Sequence, residues 1–165
     1  MGMRTGKLLP AAKKRAARAK PARATAARPA VKTKVVTKTV EIDRNRRLRE
    51  LAQRIVDLTI ANDDEATLAL YADGIESKEA NNPASVGKEA IKQKFTMWRT
   101  MVTDSAFTPV TVSADGKMIV IEWNGRVTLA ASGRVVDLNE VAVHEIADGK
   151  IVRERFYYDP SVLQG

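Results

Sequence analysis

The pair Asp148-Gly149 stands between two runs rich in β-branched and aromatic residues. This is the strongest short-range hairpin signal a sequence offers, because a tight two-residue turn needs left-handed backbone that Asp and Gly accept. Val141 to Ile146 is therefore one strand and Ile151 to Tyr158 the returning one. Pro160 has no N–H to give to a ladder and ends it.

Working back from that hairpin, the second half of the chain reads as strands throughout. Phe107 to Ser113, a turn at Asp115-Gly116, Met118 to Ala130, a turn at Ser132-Gly133 and Val135 to Ile146 complete a four-strand antiparallel meander. Gly125, within the longest run, is expected to mark a bulge.

The first half reads as helices. From Asp43, Leu48, Leu51, Ala52, Ile55, Leu58 and Thr59 follow steps of three and four, one face of a helix reaching about Ala61. Asn62-Asp63-Asp64-Glu65 carries a capping pattern for a shorter helix through Tyr71. Ile75 to Ala80 is a short strand and Asn81-Asn82-Pro83 a loop. Ser85 is the expected cap of a third helix, Gly87 to Met101, with Ile91, Phe95 and Trp98 on one face. The fold class is α+β: three N-terminal helices packed in a strongly curved, mostly antiparallel sheet that forms an open cone with a pocket.

Charge divides the chain in two. Residues 1–40 hold 12 Lys or Arg and no Asp or Glu, while the remainder holds 16 basic and 20 acidic residues. Residues 1–40 are expected to form a disordered basic Ala/Lys/Arg/Pro tail, and residues 41–165 the cone domain. The tail is similar in composition to the basic tails of linker histones. Lys13, Lys14, Arg15, Arg18, Lys20 and Arg23 would neutralise phosphates of DNA or RNA without reading bases. A targeting segment and a merely solubilising tail fit the same composition.

No cysteine and a single histidine, His144, argue against a disulfide framework or a thiolate or zinc centre. No window approaches the roughly 18 apolar residues of a membrane span. The expected setting is cytoplasmic, with nucleoid association if the tail binds DNA.

Three segments, Leu70-Tyr71-Ala72-Asp73, Val86-Gly87-Lys88-Glu89-Ala90-Ile91 and Asp148-Gly149-Lys150-Ile151-Val152-Arg153-Glu154-Arg155, together resemble the nuclear-transport-factor-like superfamily. The likeness is greatest to SnoaL-like polyketide cyclases and ketosteroid isomerases, and covers about residues 43–160. It implies a pocket for a small hydrophobic or polycyclic ligand, chemistry that needs no cofactor, and a homodimer formed through the open sheet face with Val141, Val143 and Val152. Glu79 takes the place of the isomerases' carboxylate base. Their two oxyanion donors fall at Ile55 and Ala142, which cannot donate. The Asp-Arg-Asp set of related epoxide hydrolases falls near Trp123, Gly125 and Phe156, which cannot replace it.

Strand alternation puts Glu140, Ala142, His144 and Ile146 on one face and Asn139, Val141, Val143 and Glu145 on the other. With the first set inward, as the resemblance implies, Glu79, Glu140 and His144 form the candidate catalytic cluster. With the register reversed, Val141 and Val143 fill the interior and the polar set is solvated. Tyr71, Trp98 and Trp123 are candidate pocket walls, and Arg155 beside Tyr157 a candidate clamp for an anionic ligand at the mouth. Arg153 and Arg155 alternate with Glu154, a pattern usual for a solvated strand face. The function expected is acid-base catalysis of isomerase, cyclase or hydrolase type. The alternative is a non-catalytic ligand-binding or dimerisation module tethered to nucleic acid by its tail.

Overall fold

A computed structural model describes residues 30–164, with side chains from Thr37 onward. The first helix, α1, spans Ala30–Ala61. It begins well before Asp43, directly after Pro29, because no further breaker interrupts the chain until Asn62. Leu48, Ala52, Ile55 and Val56 are buried, whereas Val40 and Ile42 ahead of them are 61% and 58% exposed. Among the described side chains of α1, full burial begins at Leu48.

Helix α2 is five residues, Asp64–Leu68, and stops short of Tyr71. Asp63 caps it by accepting a hydrogen bond from the Ala66 N–H at 2.9 Å. Tyr71 instead opens strand β1, Tyr71–Glu79, where it pairs with Ile151. Ser85 does not cap the third helix. It pairs with Ser77 in the two-residue strand β2, Ser85–Val86, and Gly87 precedes α3, Lys88–Met101.

Four long strands follow: β3 (Val102–Asp115), β4 (Met118–Leu129), β5 (Val135–Ala147) and β6 (Lys150–Tyr157). The sheet order is β2-β1-β6-β5-β4-β3. The meander is antiparallel, and β1 adds to its end parallel to β6. Asp148 and Gly149 turn between β5 and β6 with φ of 50° and 73°.

The strand pairing shifts register at four places, and Gly125 is at none of them. Gly125 pairs in step with Phe107 and Leu138. A Cβ there would lie 2.4 Å from the Leu138 carbonyl oxygen and 2.6 Å from the Phe107 ring, so glycine is needed for close approach and not for a bulge. One of the two shifts in β3 lies between Pro109 and Thr111, next to the residue with no N–H to pair. Another falls between β5 and β6: Glu145 pairs with Arg153 but Ile146 with Ile151, leaving Val152 as the extra residue.

The main core joins α1 and α3 to the inner sheet face through residues including Ile55, Ile75, Ile91, Ile119 and Ile121. A second cluster, Val102, Val127, Leu129 and Leu138, closes the other end. Among the described residues no helix is long and apolar enough to cross a membrane.

Candidate functional site

Between the helices and the inner face of the sheet lies a cavity of about 310 Å³. Its walls include Tyr71 and Glu79 from β1, Lys94 and Trp98 from α3, Trp123 from β4, Glu140, Ala142 and His144 from β5, Phe156 from β6, and Tyr158 beyond it. The register is therefore the one with Glu140, Ala142 and His144 inward. Val143 pairs with Arg155 and Val141 with Tyr157 on the opposite face. Ile55 and Ala142 both line this cavity.

Behind the cavity wall lies a charged network that strand alternation alone misplaces. The extra residue at Val152 shifts the phase of β6, so Ile151, Glu154 and Phe156 all face inward. Glu154 has no exposed surface. Its Oε2 accepts a hydrogen bond from the Tyr71 hydroxyl at 2.8 Å, and its Oε1 accepts one from the Ser77 hydroxyl at 2.7 Å. Lys94 Nζ stands 3.2 Å from the same Oε1. Burial alone would push the Glu154 carboxyl up. Lys94, His144 and Ser77 outweigh it and bring it down to about 2. Tyr71 moves well above its usual range, through burial and then through Glu154.

Lys94 links this buried carboxylate to the cavity. Its three donors are spent on Glu154, on the Ser77 hydroxyl at 2.8 Å and on Glu79 Oε1 at 2.6 Å. The ammonium also lies 4.4 Å from the centre of the Phe156 ring. Burial opposes its charge, but Glu154 and Glu79 together hold its pKa above the ordinary lysine value.

Glu140 differs from both other carboxyls. No hydrogen bond or ion pair to another described residue is found for it, and it projects from a wall formed by Leu138, Ala142 and Trp123. Burial, and after it the nearby Glu79, push its carboxyl up to about 8. Tyr158 is raised to about 12 by burial and by the same two carboxylates. His144 faces Glu154 with Nδ1 3.5 Å from Oε2, an ion-pair distance at which no hydrogen bond forms. Both of its ring nitrogens are buried and unpartnered.

The rim is tied together from α3. Arg99 holds Asp64 with both arms of its guanidinium, at 3.0 and 2.7 Å, and donates to the Asn62 side chain at 3.0 Å and to the Asn62 carbonyl at 3.2 Å.

Arg155 and Tyr157 do not reach this cavity. They lie on the outer sheet face and line a separate hollow. Lys13, Lys14, Arg15, Arg18, Lys20 and Arg23 lie outside the described residues. Sequence reasoning missed Lys94, Ser77, Glu154 and Tyr158. The available signal was Ile91, Phe95 and Trp98 on one face of α3, since Lys94 adjoins Phe95 at the border of that face.

The family model of the SnoaL-like domain matches residues 52–154. A search of curated proteins finds no match. Among solved structures, an NTF2-like protein of unknown function from Burkholderia pseudomallei superposes with a TM-score of 0.66 at 16% identity, over 72% of this chain and 98% of that one. A proposed SnoaL-like polyketide cyclase from Mesorhizobium loti is 31% identical over 67% of this chain and 97% of its own, with a TM-score of 0.58. SalBIII, an epoxide hydrolase/cyclase-like enzyme with a role in pyran ring formation in the polyether salinomycin, has a TM-score of 0.59 at 19% identity, over 70% of this chain and 96% of that one. With the family model matching residues 52–154, more than half of the chain, and a solved SnoaL-like structure 31% identical over 67% of it, the chain belongs to the SnoaL-like domain family.

Proposed function

We propose that this protein is a cofactor-independent acid-base enzyme, of isomerase, cyclase or hydrolase type, acting on a small hydrophobic or polycyclic ligand. The observation that carries the reading is the placement of Glu140 and Glu79 in one cavity, with Glu140 on an apolar wall where burial and then Glu79 push its carboxyl up to about 8, favouring the protonated form. A neutral carboxyl in a cavity can donate a hydrogen bond to an oxygen that gains negative charge during reaction. It supplies in another position what Ile55 and Ala142 cannot. Glu79, bound by Lys94 at 2.6 Å, supplies the second carboxylate and is the proposed base.

In this scheme Glu79 takes a proton from carbon or hydroxyl of the ligand, while Glu140 donates to the ligand oxygen and gives up its proton if that oxygen is to be neutralised. The aromatic walls, Trp98, Trp123 and Phe156 among them, suit flat ring systems. His144 acts behind the site as a positioning residue, because its nitrogens face Glu154 and the protein interior. The test is solvent-deuterium exchange into a panel of enolisable cyclic ketones. Glu79→Gln and Glu140→Gln should each lower the exchange rate by about 10²- to 10⁴-fold. Exchange that survives the double substitution removes the proposal.

A second reading has its own observation. The basic character of residues 1–40 continues onto the exposed side of α1 in Lys38, Arg44, Arg47 and Arg49. It supports a non-catalytic module held to nucleic acid by its N-terminal segment and dimerising through its open sheet face. Deleting residues 1–29, which leaves α1 whole, should weaken DNA binding and flatten its salt dependence. An unchanged gel shift would count against this reading, and a monomer in sedimentation at micromolar concentration would count against dimerisation.

A further inference from the structure

On the outer face of the sheet, away from the cavity, Lys78 of β1 and Arg155 of β6 stand directly opposite each other in the parallel register. Two like charges in that position repel. Yet among the described residues no carboxylate lies within ion-pair distance of either, and only Glu145 acts on Arg155 from further away. The carboxylates of that face are already engaged: Glu145 accepts from Lys117 at 2.7 Å and from Arg153 at 3.0 Å, and Glu76 lies 3.7 Å from Arg153. The inward Glu154 and Glu79 are on the other side of the sheet. Lys78 and Arg155 border a hollow of about 240 Å³, with Asn81, Tyr157 and Tyr158 as its other polar walls; Phe156 and Tyr158 separate it from the main cavity, which they also line. The Nε–H of Arg155 is buried there without an acceptor, a costly arrangement for a charged donor.

We propose that this hollow is an anion-binding site, distinct from the cavity, that takes the phosphate or carboxylate group of a small molecule. An oxyanion seated between the two side chains would accept from Arg155 Nε and its neighbouring guanidinium nitrogen as a fork, and from Lys78 as a point charge. Asn81 and Tyr157 add a neutral amide and a hydroxyl at the edge. One anion thereby settles both the repulsion across the strand pair and the orphaned donor.

The experiment titrates the full-length chain with inorganic phosphate and, separately, with acetate, following binding by calorimetry and by the thermal unfolding midpoint. The two anions distinguish a phosphate site from a carboxylate site. Saturable binding by at least one is expected, weakened about tenfold by Arg155→Gln and by Lys78→Gln, a loss in keeping with one charge-assisted hydrogen bond. The basic N-terminal segment is the same in all three proteins, so the difference between them reads the hollow. If Arg155→Gln does not fold, the exposed Lys78 decides alone through Lys78→Gln. Equal affinities across the proteins, or no saturable binding to the unsubstituted chain, overturn the proposal. So does a change of oligomeric state in the variants without any loss of anion binding, which would give this face to a second copy of the chain.

Discussion

Lys94 and Glu154 meet behind the cavity wall, the ammonium of one 3.2 Å from a carboxylate that has no contact with solvent. Removing the cation leaves that carboxylate charged and buried with two hydroxyls for company. Lys94→Met should therefore destabilise the fold by about 3 to 5 kcal/mol. The double variant Lys94→Met, Glu154→Gln should recover much of the loss. Urea unfolding of the four proteins in this cycle measures the coupling.

The same carboxylate makes the fold sensitive to acid. Its folded pKa, about 2, lies below its ordinary value of 4.5, so its contribution is complete above about pH 4.5 and drains away as pH falls toward 2. Lys94 is shifted upward, and its contribution is complete below 10.5 and lost as pH rises beyond. Glu154→Gln should flatten the acid limb of a stability-pH curve and also weaken the alkaline limb, because Glu154 is the strongest of the groups that raise Lys94.

Glu140 has the opposite sign. Its folded pKa of about 8 exceeds its ordinary 4.5, so folding favours the protonated form and stability falls as pH rises from 4.5 to 8. Glu140→Gln removes that slope. Relative to the parent it should gain roughly 2 to 4 kcal/mol at pH 9, less than the full shift converts to because the cavity admits solvent. Unfolding midpoints at pH 5 and pH 9 give the comparison.

Gly125 is a position that no other residue fills. Gly125→Ala places a methyl group 2.4 Å from a backbone oxygen and against the Phe107 ring, and only a shift of β3 or β5 relieves it. A loss of about 2 to 3 kcal/mol is expected, with the T-shaped Phe107–Trp123 contact disturbed. Tryptophan fluorescence during denaturation reports both.

Arg99 draws the α1–α2 connection onto α3 at the rim. Because it is more than a third exposed, Arg99→Met should cost only about 1 kcal/mol or less in stability. Its larger effect should be faster hydrogen exchange at Asn62 to Leu68, measurable by mass spectrometry.

The sequence made the meander and the hairpin at Asp148 legible, because each rests on local turn chemistry; alternation grouped Glu140 with His144 on one face, while the choice of that face as the inner one came from the family resemblance and not from the strand itself. The start of α1 was not legible, since apolar periodicity begins only where packing begins, at Leu48, and the helix runs back to Pro29 without it. Ser85 looked like a cap because its pairing with Ser77 depends on a strand distant from any local signal. Glu154 was hidden by one inserted residue. Alternation read from Ile151 turns Glu154 outward, and only the pairing of β6 with β5 reveals that Val152 is skipped. The charged centre behind the cavity was therefore the part of the site least accessible to reading the chain alone.

The outermost long strand, β3, leaves one side of its backbone without a neighbour in the sheet. Such a border, carrying Val110 and Val112 half open to water, invites another polypeptide to lie alongside. Pro109 and the insertion beside it break the row of amides there, so an incoming strand would lose its ladder after a few residues. A proline and a register shift in this border strand therefore make it a poor template for self-association by strand addition.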